Sequence, residues 1–113
     1  MKKLITALFC SAVSLSAFAG GNIDAGKALA EKYSCNACHG KDFNSPIDPS
    51  YPKLAGQHKE YLVHALTTYK RGDGANGRNN AIMTGQVKPL SNKDIDDLAA
   101  YLHSLPSTLV IRR

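Results

Sequence analysis

The sequence predicts a small all-α domain, on three observations. Apolar residues recur at helical spacing in three segments, and each segment has a start or stop signal beside it. No run alternates apolar and polar residues strongly enough to be read as a strand. The chain is short, at 113 residues, and globular in composition, with 43% apolar and 20% charged residues, so one domain is expected. These figures exclude a multidomain enzyme, a polytopic membrane protein and a disulfide scaffold. The formal charge of +5 is basic, but it lacks the dense Lys/Arg loading of a nucleic-acid binder, so no nucleic acid is expected as partner.

The first nineteen residues read as an address. Lys2 and Lys3 form a positive start, residues 4–15 are mostly apolar, and Ala17-Phe18-Ala19 puts small residues where signal peptidase reads them. Residues 1–19 are therefore expected to be a cleaved secretory signal peptide, and 20–113 a single domain. The apolar stretch is too short and too interrupted for a stable bilayer span, so no lasting membrane insertion is expected. Cys10 does not mark a lipoprotein, because bulky Phe9 stands where a small residue is needed. Cleavage removes Cys10 and the two lysines, which lowers the formal charge to +3 and leaves Cys35 and Cys38 as the only thiols. The compartment implied is oxidising and outside the cytoplasm, a periplasm.

Three helices are predicted in the remainder. Asn22 can cap the first, which runs to about Ser34 with Ile23, Ala30 and Tyr33 on one face. The second spans 57–71, with Leu62, Ala65, Leu66 and Tyr69 as its stripe and Gly72 as its stop. The third follows Ser91, where Asp94 makes a weak capping box, and carries Ile95, Leu98, Ala99, Leu102 and Leu105 up to Pro106. Pro46, Pro49 and Pro52 make 40–56 a loop, and the Gly/Asn-rich 72–80 is another, continuing through Asn79 and Asn80 to Met83. Short helices and long loops give a thin core, which something large and apolar in the middle would complete.

Cys35-Asn36-Ala37-Cys38-His39 carries the chemistry. Two cysteines three apart on a helical turn face the same side, where they reach the two vinyl groups of one porphyrin, and His39 then offers its imidazole to the iron. Cys-x-x-Cys-His is the attachment pattern of haem c. A thioredoxin-like pair lacks its βαβ context, a zinc site lacks a fourth ligand at matched spacing, and a disulfide between Cys35 and Cys38 would close a tiny loop and stabilise little. The expectation is one covalently attached haem c, with about three main helices wrapped around it.

The sixth iron position decides between passing electrons and binding a ligand. Met83, the only methionine after signal cleavage, is the first candidate for that axial place. An isolated methionine is ordinarily a core filler, and that reading stays open. His58, one turn before Leu62, is the rival ligand, with a solvated histidine as its ordinary reading. His64 and His103 read as surface histidines.

The chain resembles the class I c-type cytochromes. More narrowly, it is similar to small exported single-haem proteins that match one domain of the bacterial di-haem cytochromes c. The resemblance rests on Cys35 to Gly40, Tyr51-Pro52-Lys53-Leu54-Ala55-Gly56-Gln57, Tyr61-Leu62, Arg78 to Met83, and the closing helix from Leu90-Ser91 to Leu105. It implies a small cytochrome c fold whose first and last helices cross near the haem edge. It also implies that Pro52 offers its carbonyl to His39, that Leu54 packs on the porphyrin, and that Tyr69, Arg78 or Asn79 reaches a propionate or the Met83 loop. A single Cys-x-x-Cys-His excludes two haems on this chain.

The function that follows is one-electron transfer, not enzyme catalysis. His39 and Met83 would hold iron in both oxidation states, so little moves, and the soft thioether together with an apolar pocket raises the potential. The expected partners are redox proteins, a donor and an acceptor complex, met by a monomer. The alternative is the cytochrome subunit of a periplasmic dehydrogenase. A sensor or catalyst with an open iron site is a third reading. Lys27, Lys32, Lys41 and Lys53 can steer an acidic partner or serve as ordinary solvated surface. Two ionised propionates reduce the net charge to about +1, so any steering would be local.

Overall fold

The computed structural model describes residues 20–109, so the expected signal peptide lies outside the described residues. Within them the protein is helical, with no strand: α1 (Ile23–Lys32), α2 (Asn36–His39), α3 (Lys59–Arg71), α4 (Ala81–Val87) and α5 (Asn92–Ser104). The three predicted helices are α1, α3 and α5. The first ends two residues early because Ser34 takes a positive φ of 53°, which leaves the helical region. The second begins at Lys59, with His58 extended before it as the N-cap residue.

Local chemistry fixes these ends. Asn22 Oδ1 accepts the Ala25 N–H at 3.0 Å, while Asp24 in the first turn and Lys32 in the last complement the α1 dipole. Ser91 and Asp94 form a full reciprocal capping box at the start of α5. Beyond Ser104 the chain turns extended at Leu105, ahead of Pro106.

The first and last helices pack on each other, as do α3 and α5, and α4 rests on α3. The α1 face in this contact is the expected one at Ala30, with Tyr33 partly buried against the core, but not at Ile23. Gly26 and Ala30 are buried, whereas Ile23 is 49% exposed, because the groove it borders is lined by Lys93, Asp96 and Asp97 of α5 rather than by apolar side chains. Gly26 is required there. A Cβ at that position would lie 2.0 Å from the Asp97 carbonyl oxygen and 2.7 Å from the Tyr101 Cβ. Beside this crossing, buried Asp97 accepts the Asn22 N–H at 2.7 Å and the Lys93 ammonium at 2.5 Å. Burial alone would raise its carboxyl, but these two partners, with the charge of Lys59, outweigh that and hold it below the usual carboxylate range.

Leu62 and Leu66 of α3, Val87 of α4 and Ile95, Leu98 and Leu102 of α5 form the centre of the core. The loops are fastened to it through backbone groups. Gly56 N–H donates to the Leu102 carbonyl at 2.9 Å, and Leu54 N–H to Phe43 at 2.8 Å. Arg78 N–H donates to Thr68 of α3 at 2.9 Å. Buried Asn44 bonds both Pro106 and Thr108, which ties the C-terminal segment to the loop after α2.

Two further helices are present. The helical turn expected at the Cys-x-x-Cys-His motif stands as a short helix of its own, α2, with Cys35 as its N-cap. The segment around Met83, predicted as loop, is α4. Asn80 caps it by accepting the Met83 N–H at 3.0 Å, and Thr84 Oγ1 docks it on α3 by donating to the Tyr69 carbonyl at 2.9 Å.

Candidate functional site

The site begins where α1 ends. After the kink at Ser34 the chain re-enters a helical turn, with Cys35 N–H bonded to the Ala30 carbonyl at 3.0 Å and His39 N–H to the Cys35 carbonyl at 3.1 Å. One turn therefore carries Cys35, Cys38 and His39, and all three line a single cavity. Gly40 ends the turn at a φ of 92°, where a Cβ would meet the Ser45 carbonyl oxygen at 2.3 Å. The chain thus leaves the motif by a path open to glycine alone.

Both cysteines are free thiols, half-buried. Burial pushes the Cys35 thiol up, opposed in part by its own backbone N–H and assisted by Cys38. Burial thus favours the neutral thiol over the thiolate. Among the described residues no group of three or more His, Cys, Asp or Glu side chains gathers around a metal position.

His39 is 6% exposed, and its Nδ1 lies 2.9 Å from the Pro52 carbonyl oxygen. A carbonyl can only accept, so Nδ1 carries the proton and Nε2 keeps the lone pair. Such a bond fixes a metal-binding imidazole in one tautomer and raises its basicity. Tyr51 stands beside the ring, 6.4 Å between centroids.

The cavity measures about 360 Å³, within the range of cofactor and ligand pockets. Its wall is mainly apolar and includes Leu54, Leu62, Leu66, Leu98 and Leu102. Cys35, Cys38, His39, Pro52, Leu54 and Met83 all line it, and so do Tyr69 and Arg78. Asn79 does not; its neighbour Asn80 does. His58 also stands apart: it is exposed, and its ring neighbours His103 at 6.4 Å between centroids. Met83 is thus the thioether that shares the cavity with His39, delivered by α4 rather than by a loop. Sequence reasoning passed over Asn80, whose N-cap signal before Ala81-Ile82-Met83 was there to read, and Tyr61, whose ring borders Arg78.

This donor set suits a porphyrin: two thiols on one turn, an oriented imidazole, a thioether and an apolar wall. Comparison with known proteins agrees. The sequence model of the "Cytochrome c" family matches residues 23–106. The chain belongs to the cytochrome c family. It is 42% identical over 108 residues to cytochrome c4 of Stutzerimonas stutzeri, covering 91% of this chain and 50% of that protein. The crystal structure of reduced recombinant cytochrome c4 from Pseudomonas stutzeri superposes with a TM-score of 0.70 at 39% identity, over 79% of this chain and 48% of the other. A protein of Thiomonas intermedia described as a thiosulfate dehydrogenase electron acceptor is 43% identical over 75 residues, 66% of this chain and 33% of its own length. The chain spans about half the length of the cytochromes c4 it matches. Membership in the cytochrome c family implies a covalently bound haem c, and the Cys-x-x-Cys-His turn is the attachment motif that membership requires.

Proposed function

We propose that this cytochrome is a periplasmic one-electron carrier with one haem c, attached through Cys35 and Cys38 and held axially by His39 and Met83. The observation that carries this is the meeting of an oriented imidazole and a thioether on one apolar cavity beside two free thiols. Haem c bound there supplies an iron that gains and loses a single electron. The rest is done by the chain. Cys35 and Cys38 fix the group covalently, so it cannot be lost between partners. Pro52 holds His39 in one orientation in both oxidation states. Met83 offers a soft donor that favours ferrous iron. The leucine wall excludes water and disfavours the extra positive charge of ferric haem. A site closed by two side chains has no place for a substrate, which is why a carrier fits better than a catalyst.

The N-terminal signal pattern supports export and cleavage after Ala19, and no helix among the described residues is long and apolar enough to cross a membrane. Partners are then redox proteins, a donor and an acceptor, met by a monomer. Lys27, Lys32, Lys41 and Lys53 are all exposed and free to meet an acidic partner. The Thiomonas relative favours a second reading, in which this chain is the electron outlet of a periplasmic dehydrogenase. Co-elution with such an enzyme from periplasmic extract distinguishes the two.

The site itself is tested by the ferric optical spectrum of the holoprotein. A far-red charge-transfer band of sulfur-ligated ferric haem is expected in the wild type and is lost in Met83→Ala. If the wild type lacks the band, Met83 is not an iron ligand and the closed-site reading fails.

A further inference from the structure

Two histidines lie together outside the cavity. His58, the N-cap residue of α3, and His103, in the last turn of α5, have ring centroids 6.4 Å apart, with the planes tilted by 53°. Both are exposed. Their two segments are tied to each other. Gly56 N–H donates to the Leu102 carbonyl at 2.9 Å, and His103 Nδ1 lies 2.7 Å from the Gln57 carbonyl oxygen. A carbonyl can only accept, so Nδ1 of His103 carries the proton and Nε2 keeps the lone pair. The same device orients His39 against Pro52, and it is the outer-shell bond that a metal-binding imidazole ordinarily makes. The His58 ring is not used as a helix cap, since it makes no side-chain bond to the start of α3.

We propose that His58 and His103 form a surface site for one late divalent transition-metal ion, Zn²⁺ or Cu²⁺. Neutral imidazole suits these ions, whereas Mg²⁺ and Ca²⁺ call for clustered oxygen donors. A tetrahedral ion about 2.0–2.1 Å from two ring nitrogens holds the ring centroids roughly 5 Å apart. The observed 6.4 Å exceeds that by about 1 Å, which an exposed ring covers by turning about its side-chain bonds. Among the described residues no third His, Cys, Asp or Glu joins the pair, so water completes the shell. The site is therefore an exchangeable one, because structural zinc sites are closed by four protein ligands. An ion bound there joins the loop that carries Gln57, a cavity-lining residue, to the end of α5.

The test is calorimetric titration of Zn²⁺ into the ferric holoprotein at about pH 7.5, above the ordinary titration range of imidazole. Zn²⁺ is the probe because it exchanges no electron with haem. The holoprotein is used because haem then engages Cys35, Cys38 and His39, which would otherwise compete for the ion. Binding of one ion per chain is expected in the wild type. Loss of an outer-shell partner alone ordinarily costs about 10- to 100-fold in affinity, so His58→Gln and His103→Gln should each weaken binding by at least about tenfold. The double variant should be little worse than either single one, because the first loss already breaks a shared site. His64→Gln, which removes another exposed histidine of α3, should bind as the wild type does. Zn²⁺ should also raise the thermal midpoint of the wild type and leave those of both single variants nearly unmoved. No binding to the wild type, unchanged binding in either single variant, or losses that simply add in the double variant would each overturn the proposal.

Discussion

His39 and Met83 reach the same cavity by unrelated local devices. His39 closes a single turn and is oriented from outside, by the Pro52 carbonyl at 2.9 Å. Met83 sits three residues past the Asn80 cap, and its own N–H is the group that cap satisfies. The two donors differ in what they prefer. A thioether is soft and neutral and stabilises ferrous iron; a second imidazole is a stronger σ donor and stabilises ferric iron. Met83→His is therefore expected to lower the midpoint potential, by on the order of a tenth of a volt or more within the roughly 0.8 V that axial ligands span. Spectroelectrochemical titration reads this directly, and an unchanged potential removes Met83 from the iron. At this scale the sequence was informative where spacing encodes chemistry. Cys35, Cys38 and His39 are named by their motif alone. Pro52 and Leu54 are not, since a carbonyl partner and a packing contact have no spacing rule. Nothing in the spacing brings Tyr61 to Arg78 either, because that approach depends on how loop 72–80 folds back onto α3.

Helices with a stripe and a cap were legible, and those without were not. α3 and α5 carry leucines at helical intervals over 13 residues each, and Ser91 with Asp94 marks the start of α5. α2 has four residues, too few to show a period, and α4 has seven, with Gly85 exposed in its middle. Tertiary docking through Thr84 and a capping asparagine hold α4, and neither registers as periodicity. On α1, Ala30 and Tyr33 were placed correctly, but Ile23 was misplaced and Gly26 missed for a related reason. Hydrophobic periodicity favours Ile23, whereas the contact with α5 is governed by how closely two backbones approach, which selects Gly26. Gly26→Ala is expected to destabilise the protein by about 1 to 3 kcal/mol, although alanine is the better helix former. The added methyl meets Asp97 backbone, which cannot turn aside as a side chain end can. A denaturant melt of the holoprotein checks this, and a gain in stability would mean that the two helices part without penalty.

At the scale of the whole molecule, core and site are the same object. Leu62, Leu66, Val87, Leu90, Leu98 and Leu102 are core residues, and each also lines the cavity that holds His39 and Met83. Leu62 and Leu66 come from α3, Val87 from α4, Leu98 and Leu102 from α5, and Leu90 from the link between α4 and α5. The thin core inferred from chain length is thus a consequence of function, since the apolar faces are shaped for a porphyrin as well as for one another. It follows that covalent attachment acts on folding as well as on electron transfer. A group bound only by the native state stabilises it, and one tethered through Cys35 and Cys38 is never diluted away. The Cys35→Ser/Cys38→Ser double variant, expressed beside the wild type with the same haem-attachment system, should therefore lose more than its redox activity. Its far-ultraviolet circular dichroism should fall, and its thermal transition should become broad or vanish, since the leucines of α3 and α5 and Val87 of α4 would be left around a collapsed, poorly packed interior. A double variant that melts as sharply as the wild type, with full helical signal, would show that the helices pack well enough alone, and would separate the fold from its cofactor.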